Sequence, residues 1–227
     1  MIIERIAKRR GHLTALICDG RELARLDTDV VFDENIRAGA DCSEERLSEL
    51  LAMSNALRAK RRAYSMLSFR DHSKSELMTK LRRGTDEQSA QAAVEKMEEL
   101  RLLDDDEYAR NYAARLSKYK HYGTHRIRQE LLAKGISREL ADEAISLLDI
   151  NHEEQITQLL LGKFARQMSD EKGRKRTFSA LQRYGYGFSE IRAAMRAFDE
   201  EYQDDDCGGD IDYDETADDC DYFDEGD

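Results

Sequence analysis

Arg82 and Arg83, then Lys118, Lys120, Arg126, Arg128 and Lys134, then Arg174, Lys175, Arg176 and Arg183 form three basic clusters, preceded by Arg58, Lys60, Arg61 and Arg62. Several stand beside Tyr119, Tyr122, Tyr184 and Tyr186. Cations that neutralise phosphates, interleaved with rings on which bases stack, are the means by which proteins hold single-stranded nucleic acid. A cation in the last turn of a helix also offsets the helix dipole, by about 0.3–1 kcal/mol, so a structural use covers part of the set. Recurrence of the same local pattern favours a binding stripe, and the candidate site comprises the three clusters from Arg82 to Arg183.

Other combinations that enzymes use are weak in this chain. His121 and His125 stand four apart, but Gly123 lies between them and no Cys or acid completes a zinc set, so surface histidines are expected. Asp104, Asp105 and Asp106 would need further converging oxygens to hold a cation. At a helix N-terminus they meet unpaired N–H groups and the positive end of the dipole instead. The glycines of RYGYGF (183–188) lack the preceding strand that a nucleotide loop needs. Cys18, Cys42, Cys207 and Cys220 are scattered, with no CxxC pair, and suit free thiols in a reducing compartment. No nucleophile, base and metal set converges, so a non-enzymatic binding protein without cofactor or metal is expected.

The charge balance is uneven. Residues 1–198 hold 36 Lys or Arg against 32 Asp or Glu, whereas residues 199–227 hold 16 acids and no Lys or Arg. A mildly basic body suits nucleic acid, or a protein coating it, as partner. No run approaches the roughly 18 apolar residues of a membrane span, and MIIERIAKRRGHLTALICDG lacks the apolar core and cleavage site of a signal peptide. The cytoplasm is the expected compartment.

These side chains need helices to position them, and the chain, with no proline, is written for helices. The first forty residues differ: HLTALICDG and RELARLDTDVVF are β-forming runs around Asp19-Gly20, which predicts a small β-hairpin or a loosely attached arm. From Ser43 a helix is expected with Leu47, Leu50, Leu51, Ala56, Leu57, Tyr64 and Leu67 inward and a break near Ser54-Asn55. Ser73-x-x-Glu76 and Thr85-x-x-Gln88 read as capping boxes, and Asp104, Thr124, Ser137 and Ser189 as further helix starts.

Gly84, Gly135 and Gly185 lie 51 and 50 positions apart, each after a basic or tyrosine-flanked helix end. A period near fifty is a repeat signature, and a left-handed glycine explains each tight turn. The expected architecture is therefore mainly α: an elongated array of tandem three-helix repeats. Its segments are an N-terminal β-hairpin over 1–42, a first repeat with a leading helix over 43–105, a second over 106–150, a third over 151–198, and a disordered acidic tail over 199–227. Like charges and few aliphatic groups prevent that tail from folding alone. Asp210, Asp212 and Asp214 have calcium-loop spacing, but Glu215 occupies the glycine position. The tail's 16 acids and interspersed aromatics point to a solubilising segment, or to one that covers the basic stripe.

The order of three phrases, ALRAKRRAYSMLSFRDHSKSELMTKLRR, LRLLDDDEYARNYAARL and KHYGTHRIRQELLAKGISRELADEAI, resembles the RecX regulatory proteins of bacteria. The resemblance is carried by Ala63 through Leu67, Arg70, Ser73, Glu76 and Leu77, by Leu103, Asp105, Tyr108 and Ala109, and by Gly123, Ile127, Glu130, Leu131, Gly135 and Ile136. It covers roughly 55–200 and is strongest over 57–148. It implies an elongated wedge of three-helix repeats that binds RecA and lodges in the groove of its filament on single-stranded DNA. Such a protein modulates, usually inhibiting, RecA's recombinase, ATPase and coprotease activities in recombination and the SOS DNA-repair response. A monomer that also binds duplex DNA weakly is expected. A stand-alone helix-turn-helix protein reading a major groove is the competing expectation. The long acidic tail departs from the family pattern.

Overall fold

Asp19 and Gly20 both adopt positive φ, 48° and 70°, and close a hairpin between β2 (Leu13–Cys18) and β3 (Arg21–Asp27). The structure, a computed structural model, describes residues 1–202, with side chains through residue 201. The expected disorder of the tail, its calcium-like spacing, Cys207 and Cys220 lie outside the described residues. A third strand, β1 (Arg5–Arg9), pairs antiparallel with β2, giving the order β1-β2-β3 where the sequence predicts only a two-stranded hairpin. Its basic residues, Arg5, Lys8 and Arg9, are exposed and obscure the strand signal, as charged edge strands do.

Val30, Val31 and Phe32, expected to extend the β-run, belong to a short helix, α1 (Thr28–Asp33). Asp27 decides this: extended at the end of β3, it accepts the Asp29 N–H at 3.0 Å and caps the helix. It is only 2% exposed and its carboxylate also receives Arg61 Nη1 at 2.7 and 2.9 Å.

The helix that carries Arg61, α2 (Glu44–Phe69), starts at the Ser43 cap and runs unbroken for 26 residues. The break expected near Ser54-Asn55 is absent because Ser54 turns inward, where its Oγ accepts the Asp27 N–H at 2.7 Å. The buried face is Leu50, Ser54, Ala59 and Ala63, while Ala56 and Tyr64, expected inward, are exposed. Ala59 and Ala63 let α4 lie close against the second half of the helix.

Three sets of helices follow in chain order, each with its own apolar core. Leu77, Leu81 and Met97 unite the end of α2 with α3 (Lys74–Arg82) and α4 (Glu87–Glu99). Ala109, Ile127, Leu131 and Ala141 unite α5 (Asp105–Lys120), α6 (Thr124–Ala133) and α7 (Arg138–Ser146). Ile156, Leu160, Leu181 and Ile191 unite α8 (His152–Leu161), α9 (Glu171–Arg183) and α10 (Phe188–Tyr202). A short 3₁₀ turn, Ala165–Gln167, separates α8 from α9. Full burial of each such side chain contributes about 1.5–3 kcal/mol, so each set is held mainly by its own interior.

The caps at Ser43, Ser73, Asp104 and Ser137 are as expected, each side chain accepting an N–H two or three residues on. Three differ. Asp86, not Thr85, caps α4, because Thr85 Oγ1 donates instead to the Leu81 carbonyl. Gly123 precedes α6, with Thr124 already its first residue, and α10 begins at Phe188, before Ser189. The glycine turns also divide: Gly135 and Gly185 have φ of 75° and 89°, but Gly84 is not left-handed, and it faces the flexible end of Arg62.

Candidate nucleic-acid interface

The second helix of each set meets that of the next by one device. At the seam between the first and second sets, Ser73 Oγ donates to the Lys134 carbonyl at 2.5 Å, and the Lys74 N–H donates to Asp105 Oδ1 at 2.8 Å. The start of α3 thus rests on the turn that ends α6. At the next seam the start of α6 rests on the turn that ends α9: the Gly123 N–H donates to the Tyr184 carbonyl at 2.8 Å and the His125 N–H to the Gly185 carbonyl at 3.3 Å. Helix starts carry unpaired donors and helix ends unpaired acceptors, so the contact satisfies both. It needs glycine for proximity as well as for φ. A Cβ on Gly123 would lie 2.6 Å from the Gly185 carbonyl carbon, and one on Gly185 would lie 2.9 Å from Arg126 Cα.

The two seams differ in charge. At the first, Glu76 is 14% exposed and receives Arg70 at 2.6 Å and Lys80 at 3.1 Å, with Lys134 at 3.9 Å. Burial alone would raise its pKa, but the hydrogen bonds from Arg70 and Lys80 and the field of Lys134 hold it at about 2. Burial raises the Asp105 pKa, against the Lys74 N–H that it accepts.

At the second seam a cleft of about 500 Å³ opens between Tyr119, Lys120, His121, Tyr122, Gln158, Leu159, Lys163 and Tyr184. No carboxylate lines it. Tyr119 is 69% exposed, with Lys118 Nζ 5.5 Å from its ring centre. Lys163 Nζ sits 5.0 Å from the Tyr184 ring and 5.8 Å from Phe164, and hydrogen-bonds the Tyr184 hydroxyl. Arg126 lies over Tyr122, whose ring meets Tyr184 edge-on at 5.6 Å. His121 ends α5 with a left-handed φ of 51°. Its carbonyl accepts the buried Tyr186 hydroxyl at 2.8 Å, while its Nδ1 is the one buried side-chain polar atom without a hydrogen-bond partner among the described residues. Burial pushes the Tyr186 phenol far above its ordinary pKa, so it stays a donor.

Profiles of the RecX first and second three-helix domains match residues 59–97 and 104–145. Regulatory protein RecX of Cronobacter sakazakii is 35% identical over 152 residues, covering 61% of this chain and 90% of that one. The Prosthecochloris aestuarii protein of the same name is 31% identical over 144 residues, 63% of this chain and 94% of its own. The chain belongs to the RecX family. Two solved folds agree: a crystal structure of regulatory protein RecX superposes with a TM-score of 0.60 at 21% identity, covering 86% of this chain and 98% of that one. RecX from Lactobacillus salivarius gives 0.57 at 22%, covering 64% and 97%.

The three helical sets distribute the eleven candidate cations unequally. Lys120 lines the cleft of the second seam, while Lys118 lies over Tyr119 and Arg126 over Tyr122, two rings of its wall; Arg126 also pairs with Glu130 at 2.7 Å. Arg82 pairs with Glu87 at 2.5 Å, Arg128 with Asp142 at 2.5 Å and Lys175 with Glu171 at 2.9 Å. Lys134 is drawn to Glu76 at the first seam. Arg174, 15% exposed, grips Asp199 with both Nη atoms at 2.7 and 2.8 Å and so ties α9 to α10. Arg83, Arg176 and Arg183 are exposed and make no ion pair among the described residues. Of the preceding cluster, Arg61 is committed to Asp27 and Asp29. Sequence does not single out Lys163, alone between Gly162 and Phe164, and it marks Gly123 as an obstacle to zinc binding and a point of family likeness, without a packing role. Their roles come from contacts with Tyr184 and Gly185, 21 to 62 positions away.

Proposed function

We propose that this chain is a non-enzymatic regulator that binds RecA filaments on single-stranded DNA and modulates them, with inhibition of strand exchange, ATP hydrolysis and coprotease activity as the direction. It acts without cofactor, as a monomer in the cytoplasm, in recombination and SOS repair, and binds duplex DNA only weakly. Membership in a family of regulatory proteins supports the reading. The observation that carries it is the cleft at the second seam, which Lys120 and Lys163 line among tyrosines with no carboxylate, and where Lys118 lies over Tyr119. Exposed Arg83 in the first set and Arg183 in the third add to this cationic chemistry, which suits a repeating partner.

The stand-alone helix-turn-helix reading fits less well. The third helix of the second set, α7, carries Glu139, Asp142 and Glu143 against Arg138 alone, a poor surface for a major groove. The decisive experiment is ATP hydrolysis by RecA filaments on single-stranded DNA, titrated with the full chain. A concentration-dependent change is expected. If hydrolysis, strand exchange and repressor cleavage all stay unchanged, the proposal is wrong.

A further inference from the structure

The cleft at the second seam is unusual for this chain. The protein carries a formal net charge of −12, yet the cleft is lined by Lys120 and Lys163 and by no acid. Neither lysine has a carboxylate partner among the described residues, whereas Lys74, Lys80, Lys96 and Lys175 each have one. Cations left unpaired on a surface with this much acid available in the same molecule have an obvious intramolecular counterpart.

That counterpart is residues 203–227, which hold 13 Asp or Glu residues, no Lys or Arg, and the aromatics Tyr213, Tyr222 and Phe223. Its alternation of acids with rings is the composition complementary to a surface of lysines and tyrosines. The described chain stops at the end of α10. That helix packs on α8, and Phe198 of α10 shares a core with Leu159, which lines the cleft. Twenty-five residues span at most about 80 Å, so the cleft lies within reach of a segment that starts in the same helical set.

We propose that the acidic, aromatic segment 203–227 docks in its own molecule's cleft at Lys120, Lys163 and Tyr119, and competes there with single-stranded nucleic acid. The competition rests on the reading of the cleft given above; the docking itself does not. A tethered segment acts at an effective concentration on the order of 1 mM, so even a contact with a Kd near 0.1 mM leaves the cleft about tenfold less open to a ligand.

Zero-length carbodiimide cross-linking of the full chain, read by mass spectrometry, tests the docking without RecA or DNA. Cross-links from segment 203–227 are expected to concentrate on Lys120 and Lys163 within single molecules. They should vanish at about 1 M salt, where the screening length is about 3 Å. A chain whose 203–227 acids are replaced by Asn and Gln lacks the reactive carboxylates, so it serves in the binding measurement and not in cross-linking. Equal cross-linking to the exposed Lys8 and Lys172, or links only between molecules, would overturn the proposal. In a second arm, the neutralised chain should bind labelled oligo(dT) about tenfold more tightly than the natural one at low salt, a difference abolished by Lys120→Glu with Lys163→Glu. Equal binding by both chains would overturn the competition. Specific cross-links with no oligo(dT) binding in any chain would uphold the docking and reject the nucleic-acid reading of the cleft. A null result on RecA hydrolysis leaves the cross-linking result standing.

Discussion

The Gly123 N–H donates to the Tyr184 carbonyl at 2.8 Å, joining the start of one set's second helix to the end of the next set's. Gly123 has an ordinary φ of −71°, so its requirement for glycine is purely one of space. Gly123→Ala should therefore lose about 1–3 kcal/mol by forcing the seam apart. Gly84→Ala meets only the movable end of Arg62 and should stay within about 1 kcal/mol of the natural chain. Urea unfolding curves of the two variants check the contrast. Equal losses would show that the seam yields freely.

Glu76 lies at the first seam, where Lys134 approaches it from the second set at 3.9 Å. Its pKa is lowered from 4.5 to about 2, so its contribution is fully present above the unfolded-state value and is lost as pH falls through the folded one. The shift corresponds to stability on the order of 3 kcal/mol. Stability should fall between about pH 5 and pH 2 in the natural chain more steeply than in Glu76→Gln. The variant is expected to be weaker at pH 7, because Arg70, Lys80 and Lys134 then face an amide. Denaturant midpoints at pH 7 and pH 3 measure both effects.

Tyr119 and Arg174 separate binding from folding. Tyr119→Ala should cost about 1–3 kcal/mol of oligo(dT) affinity through lost stacking, with Tyr119→Phe close to natural. Lys163→Ala should reduce the slope of log affinity against log salt by about 0.7, one phosphate contact on a single strand. Arg174→Ala should leave that slope unchanged and cost about 1.5–3 kcal/mol of stability, because Arg174 holds Asp199. Fluorescence anisotropy at two salt concentrations, with thermal unfolding alongside, distinguishes the three.

Local signals were legible and distant ones were not. Ser43, Ser73, Asp104 and Ser137 cap helices through N–H groups only two or three residues away, so their neighbours in sequence suffice to identify them. Thr85 and Thr124 mislead because a second candidate cap stands beside each, and the choice is made elsewhere. Gly123 wins over Thr124 at the start of α6, where the backbone of Gly185, sixty-two positions on, leaves no room for a Cβ. The fifty-residue period disclosed the repeats. It treated three glycines alike, although only Gly135 and Gly185 are left-handed and pressed against a neighbouring backbone or Ser75. The basic clusters pointed to a stripe, yet pairing with acids from other turns withdraws Arg174 and engages Arg128 and Lys134, while a lysine outside every cluster, Lys163, enters the cleft.

His121 joins strain to the cleft. A left-handed φ costs a residue with a side chain about 1–2 kcal/mol, and a buried unpaired nitrogen costs about 1–3 kcal/mol more. Glycine would remove both burdens, at the expense of greater chain entropy when unfolded. His121→Gly should thus raise the melting temperature, by roughly 2 °C if the net gain is about 1 kcal/mol in a chain of this size. If the ring is retained because it forms part of the cleft, the same substitution should weaken oligo(dT) binding. A more stable variant with unchanged affinity would mean that His121 serves the turn alone. Higher stability with weaker binding would mean that the strain at the end of α5 is kept for the ligand.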